Sequence, residues 1–438
     1  MSPARRREVI DALRRGTVPQ AGLDLFAVGL DRFEQAIDAE LTTVASGGAM
    51  FKAVRGEYGS GKTFYSRWLA ERAKRRGFAV TEIQISETET PLHRLETVYR
   101  RLTERLATAS HPPSALRDVI DGWFYTLEED VLAVGESSPA DTAALADATG
   151  RLMEQRLASV ARSTPAFAAV LRAYHQAIMS GRAPEAEGLI AWLGGQPNVA
   201  AGVKRAAGIK GDLDHFGALG FLQGLLTVLR DSGHSGLLVA VDETETLQRV
   251  RGDVREKGLN ALRQLIDEID GGRFPGLYLM VTGTPAFYDG PQGVQRLAPL
   301  AQRLATDFGD ARFDNPRAVQ IRLAGFNLDT LITLGCTVRD LYAAGAASGD
   351  RVHAVVDDAY VDDLARAVTG GLGGQAGIAP RIFLRKLVEQ VLDRVDQFAD
   401  FDPRKHYTLT LMGSELTEVE RSAWQQQAAD ADDVDLDL

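Results

Sequence analysis

Gly56-Glu57-Tyr58-Gly59-Ser60-Gly61-Lys62-Thr63 is the stretch on which the reading of this chain turns. It matches G-x-x-x-x-G-K-[ST], a pattern whose flanks matter as much as its letters. Upstream, Met50, Phe51, Ala53 and Val54 read as a buried strand that stops at Gly56. Downstream, a helix is expected from about Lys62 to Arg76, closed by Gly77. Glycines let such a loop wrap its backbone N–H groups around a phosphate, and the helix N-terminus adds positive potential there. Lys62 is then placed to reach the β- and γ-phosphates of ATP, and the Thr63 hydroxyl to ligate Mg²⁺. Gly56 through Thr63, with Phe64 after them, form the expected nucleotide-binding element. An incidental glycine turn would not need a strand before it and a helix after it.

A phosphate loop needs acidic side chains at the tip of a neighbouring strand, and Leu237-Leu238-Val239-Ala240-Val241-Asp242-Glu243 supplies them. Asp242 is expected to hold magnesium through water, and Glu243 to polarise the attacking water as a general base. The alternative is two carboxylates that merely solvate a strand end. Glu245, nearby, is expected at the surface. The strand Leu277 to Val281 ends in Thr282-Gly283-Thr284-Pro285, where a polar residue is placed to sense the γ-phosphate; Thr282 and Thr284 both qualify. Arg303 follows where an arginine finger aimed at a neighbouring subunit would sit. Arg296, seven residues earlier, would share its helix face. Arg381 starts a helix in Gly377-Ile378-Ala379-Pro380-Arg381 and is placed to reach back to the γ-phosphate. A plain surface arginine explains Arg303 or Arg296 at least as well, and for Arg381 a proline at a helix start is ordinary punctuation.

Working outward, the second strand (Phe78 to Ile85) and the next helix (Leu92 to Leu106) continue an alternation that predicts parallel pairing under covering helices. His111-Pro112-Pro113-Ser114 interrupts it, and helical periodicity then runs to about Gly211. Alternation resumes with a helix capped by Asp214, and Val319 to Leu323 is the expected last strand. The fold class is therefore α/β, a P-loop NTPase with a parallel sheet, a large helical insertion and a C-terminal helical lobe. The expected divisions are 1–107 (leader and first part of the core), 108–212 (insertion), 213–325 (second part of the core), 326–397 (helical lobe) and 398–438. That last segment holds a short Thr408 to Leu411 strand and an acidic tail with Asp430, Asp432, Asp433, Asp435 and Asp437.

The 438 residues carry a formal charge of −11, which argues against bulk attraction to DNA or anionic lipid. The charge is uneven: residues 1–107 hold 18 Lys/Arg against 14 Asp/Glu, a net of +4, leaving −15 for the remainder. Arg72, Lys74, Arg75 and Arg76 end a helix, where cations meet its dipole without needing a ligand. Support for direct DNA contact is thin, since no aromatic-interleaved basic patch or zinc-finger spacing occurs. A single cysteine, Cys336, suits a reducing compartment, and no run approaches the roughly 18 apolar residues of a membrane span. The expected location is cytoplasmic.

Together the GEYGSGKT loop, the LLVAVDE strand, the VTGTP strand end and the GIAPR helix start resemble an AAA+ ATPase of the origin-recognition type. Closer still, the leader RRGTVPQAGL, the WLGG at Trp192 to Gly195 and the GLLVAVDETE segment look like the ATP-binding protein family of bacteriophage-exclusion (BREX) systems, component D. The resemblance covers about residues 8 to 395. It implies an AAA+ core with a helical lid, Mg-ATP as cofactor, and antiphage defence beside a helicase-like partner. It would make Val18 and Pro19 part of the adenine pocket, Thr282 or Thr284 sensor 1, Arg303 the trans-acting finger of a homo-oligomer, and Arg381 sensor 2. One departure is the lack of a clear winged-helix domain after Gln397. The expected activity is ATP hydrolysis coupled to oligomerisation and to remodelling or loading a partner on DNA. The alternatives are a nucleotide-dependent switch with little hydrolysis, or a signalling ATPase sensing through its insertion.

Overall fold

Five strands form one sheet in the computed structural model: β1 (Met50–Arg55), β2 (Ala79–Gln84), β3 (Leu237–Asp242), β4 (Leu277–Gly283) and β5 (Gln320–Arg322). Their order is β2-β3-β4-β1-β5. β3 and β4 are buried along their whole length, which is why Leu237 to Val241 and Leu277 to Val281 run without polar alternation before Asp242 and Thr282 at their ends. Parallel strands covered on both faces leave no solvated side to alternate toward. β2, β3 and β4 pair in parallel, with Ile83 opposite Val241 and Val241 opposite Val281. The structure describes residues 2–374, 377, 379–418, 420 and 421, so the acidic tail lies outside the described residues.

By their internal contacts the described residues divide into two compact units, those within 1–35, 54–71 and 322–421 in one, 36–53 and 72–321 in the other. Three early helices frame the glycine loop in sequence: α1 (Pro3–Arg14), α2 (Asp31–Ala45) and α3 (Lys62–Arg75).

The larger unit holds most of the sheet and the helical insertion, sharing one apolar core. Trp123, Leu127, Phe167, Leu171 and Phe221 pack into the same cluster as Val239, Leu262 and Leu279. Helices Leu116–Ala133, Thr142–Arg156, Pro165–Met179 and Ala183–Leu193 make up most of the insertion. The WLGG turn has a local role in it. The Gly194 carbonyl accepts a 2.7 Å bond from the Thr103 hydroxyl, the Leu193 carbonyl a 3.1 Å bond from Tyr99, and Gly195 sits at φ +79°. That turn ties the insertion to helix Leu95–Glu104. Asp214 caps helix His215–Asp231 through the Gly217 N–H, as its position predicts. In the core beside β1, the Lys52 ammonium pairs with Glu40 of α2 at 2.5 Å and donates to the Ala318 carbonyl at 2.8 Å. Tyr278 donates to the same carboxylate at 2.6 Å. Lys52 is 1% exposed. A charge this deep is tolerable only because it is paired and hydrogen-bonded, and removing one partner of such a pair costs about 3–5 kcal/mol.

The smaller unit is organised by a second apolar cluster. Val9, Ile10 and Leu13 of α1 pack with Leu331, Val338, Leu364, Phe383, Leu387 and Val391. Its helices include Leu328–Ala343, opened by a reciprocal Asn327–Thr330 capping box, Asp358–Gly371, and Pro380–Arg385 running into a π-helical segment, Lys386–Leu392. Arg14 forks onto Asp393 at 2.6 and 2.8 Å, and Tyr342 donates to the same carboxylate at 2.9 Å. The expected strand at Thr408 to Leu411 does not form. A strand needs a ladder partner, and this segment instead lays Leu409 and Leu411 against the helical cluster.

Candidate nucleotide-binding site

The glycine loop adopts a conformation that its sequence dictates. Gly59 and Gly61 stand at φ +78° and +89°, left-handed backbone that side-chain-bearing residues avoid. At Gly56 the constraint is space, because a Cβ there would lie 2.2 Å from Ser60 Oγ. Lys62 folds back over its own loop, donating from Nζ to the Gly56 carbonyl at 2.8 Å and the Glu57 carbonyl at 3.2 Å. Its ammonium lies 5.1 Å from the Tyr58 ring centre. Ser60 Oγ is buried with no hydrogen-bond partner among the described residues. A buried orphan hydroxyl is costly, and it belongs to a loop whose other groups are a lysine and the first turn of α3, the donor set an anionic phosphate takes. Thr63 stands in that first turn. The residues of the loop therefore fit the phosphates of a nucleoside triphosphate, and the Thr63 hydroxyl is an oxygen donor of the kind that suits magnesium.

The leader is held to the same helix at three points. The Val18 carbonyl accepts a 2.5 Å bond from Arg67 Nη1. The Glu71 carboxylate accepts from the backbone N–H of Gly22 at 3.1 Å and Leu23 at 2.9 Å, and pairs with Arg5. Phe26 meets Phe64 edge-on, ring centres 5.1 Å apart. Pro19 is buried and Val18 half-buried. No sequence motif marks Arg67 and Glu71, although they follow Thr63 at i+4 and i+8, the spacing that stacks side chains along one helix face. Arg381 also approaches the leader, its Nη1 3.4 Å from where a Cβ on Gly16 would stand. Its guanidinium is engaged elsewhere, with Glu420 through Nε at 3.0 Å and with the Glu415 carbonyl at 2.6 Å.

In the larger unit the β3–β4 register brings Asp242 beside Thr282, one residue beyond the Val241–Val281 pair. Thr282 is fully buried and its hydroxyl donates to Asp242 Oδ1; the same oxygen accepts the Glu243 N–H at 3.0 Å. Thr244 donates to the Thr282 carbonyl at 2.6 Å. Glu243 is exposed and sits at φ +60°, so the chain turns sharply as it leaves the strand and holds this carboxylate out from the buried Asp242. Thr284 has a different occupation: its hydroxyl accepts the Phe287 N–H at 3.3 Å and caps the short helix Pro285–Asp289. Of the two threonines, only Thr282 touches the acidic pair.

Two expectations are corrected here. Glu245 is not at the surface but 5% exposed, drawn in by the 3₁₀ turn Thr244–Gln248. Arg296 and Arg303 do not share a helix. Arg296 ends a 3₁₀ turn, Leu297 is extended, and a new helix, Ala298–Arg303, begins with Pro299 in its first turn. Arg303, 37% exposed, pairs with Asp267 and donates to the Pro299 carbonyl at 3.2 Å.

No curated protein matches this chain. Among solved structures, the Aeropyrum pernix ORC2 protein in its ADPNP–ADP complexes is similar at 12% identity and a TM-score of 0.33, covering 86% of this chain and 70% of that one. No helix among the described residues is long and apolar enough to cross a membrane. The family model described as BREX system ATP-binding protein BrxC/D matches residues 1–411, carrying the glycine loop, the acidic strand end and the helical lobe together, and the chain belongs to that family.

Proposed function

We propose that this protein is an Mg-ATP-dependent AAA+ ATPase of an antiphage defence system, coupling ATP binding and hydrolysis to assembly with copies of itself and to remodelling or loading of a partner on DNA. The observation that supports it most directly is the buried Asp242–Thr282 pair with Glu243 turned out beside it. That arrangement separates a carboxylate held for a cation from one presented to water.

In this reading Lys62 and the loop N–H groups bind the β- and γ-phosphates, and Val18, Pro19 and Phe64 border the base. Thr63 and Asp242 would hold magnesium, which when bound neutralises phosphate charge. Glu243 takes the proton of the attacking water, Thr282 orients Asp242 and reports on the γ-phosphate, and Arg303 and Arg381 supply positive charge from a neighbouring copy and from the helical lobe. Glu243→Gln should retain ATP binding in calorimetry while lowering phosphate release at least about a hundredfold. Wild-type turnover by that variant would remove the general-base assignment.

A second reading, a nucleotide-dependent switch with slow hydrolysis, draws support from the two candidate arginines, each engaged within the chain, Arg303 with Asp267 and Arg381 with Glu420. Light scattering with and without ATP and DNA separates the two. A size change with ATP but no phosphate release under any condition favours the switch. A monomer in all conditions removes the trans role of Arg303.

A further inference from the structure

We infer that Arg67 and Glu71, on the helix that follows the phosphate loop, are positioning residues for base recognition: they hold the leader backbone from Val18 to Leu23 against that helix and so make nucleotide affinity depend on which base is present. This rests on the reading above, in which Val18 and Pro19 border the base.

Thr63, Arg67 and Glu71 lie at successive turns of one helix, each step advancing about 6 Å along its axis. The leader is therefore fastened within about 12 Å, along the helix axis, of the phosphate-binding end. The fastening acts on backbone. Arg67 donates to a carbonyl, and Glu71 receives two consecutive N–H groups and the Arg5 guanidinium. Gly22, at φ +81°, supplies the turn that aims both N–H groups at one carboxylate, and a Cβ there would lie 2.7 Å from Val9 Cγ2. A surface ion pair would not need this arrangement. Glu71 is 13% exposed at its side chain, and its hydrogen bonds to backbone fix the path of the chain as well as its proximity.

The Val18 carbonyl has two lone pairs, of which the Arg67 bond uses one. Held in that orientation, it presents an acceptor to a base edge. An exocyclic amine such as that of adenine satisfies an acceptor, whereas a carbonyl oxygen in the same place, as in guanine, faces it with like partial charge. Discrimination of this kind rests on a pre-set polar group and is lost when the group is allowed to swing.

The test is calorimetry on the full chain with Mg²⁺ and three probes: ATP, GTP and inorganic tripolyphosphate. The wild type should bind ATP more tightly than GTP. Arg67→Met and Glu71→Gln should each lower ATP affinity about tenfold and bring the ATP-to-GTP ratio toward one, the size of a lost charge-assisted bond, while tripolyphosphate affinity changes less than twofold. Arg67→Lys, which can still donate to a carbonyl, should recover part of the ratio. An equal loss for all three probes would mean a general structural role and overturns the inference, as does an unchanged ratio. Should Arg67→Met lose its circular dichroism signal, the isosteric Glu71→Gln decides the matter. A wild type that binds no tripolyphosphate would take down the nucleotide-site reading itself, a result distinct from loss of the ratio alone.

Discussion

The phosphate loop and the ends of β3 and β4 reach their geometry by opposite means. The loop is shaped by backbone: two left-handed glycines, a third with no room for a Cβ, and a lysine turned back onto its own carbonyls. The strand ends are shaped by buried side chains, with Asp242 Oδ1 shared between the Thr282 hydroxyl and the Glu243 N–H. A backbone device is spelled in consecutive residues. A side-chain device exists only once the strands are in register.

The contrast predicts that the two regions fail differently. Lys62→Ala should have the largest effect, lowering ATP affinity by about a hundredfold or more in calorimetry, since charge-assisted bonds to phosphate are lost together. Unchanged affinity would break the comparison at its stronger half. Thr282→Val, nearly isosteric, should leave affinity close to wild type but slow phosphate release about tenfold by freeing the Asp242 carboxylate from its donor. A loss of binding instead of turnover would mean that the strand end acts on the ground state. Thr284→Ala should be milder, lowering unfolding free energy by about 1 kcal/mol through the lost cap with turnover largely kept. If Thr284→Ala proved the more damaging to catalysis, the division of labour read from the register would be wrong.

The smallest effect lies away from both regions. His175 stacks on Phe124, ring centres 4.5 Å apart, and burial holds its imidazole below the ordinary value near 6.5. The unfolded chain then binds more protons than the folded one once the pH falls below about 6.5, so stability should decline progressively on acidification. His175→Gln should flatten that slope in thermal melts between pH 7 and pH 5. An unchanged slope would place the acid sensitivity elsewhere.

This difference in devices also explains what could be read in advance. The glycine loop, the acidic strand end and the alternation of strands and helices were legible because each is written in local spacing. The choice between Thr282 and Thr284 was not, because it depends on the pairing of Val241 with Val281, which no local pattern states. Arg296 and Arg303 looked like neighbours on one helix, but the extended Leu297 breaks it. Glu245 looked solvent-bound, yet a 3₁₀ turn carries it inward. Arg67 and Glu71 carry no such mark because their partners are main-chain groups some 50 residues earlier, a pairing that no local spacing records.

Glu243 has a consequence for anyone improving this protein in the laboratory. A glutamate held at φ +60° sits where glycine would rest more comfortably, by about 1 kcal/mol. Selection on heat resistance alone would therefore drift toward Glu243→Gly and return hardier molecules stripped of their proposed base. A library ranked by melting temperature would need a counter-screen for phosphate release to keep that position alive.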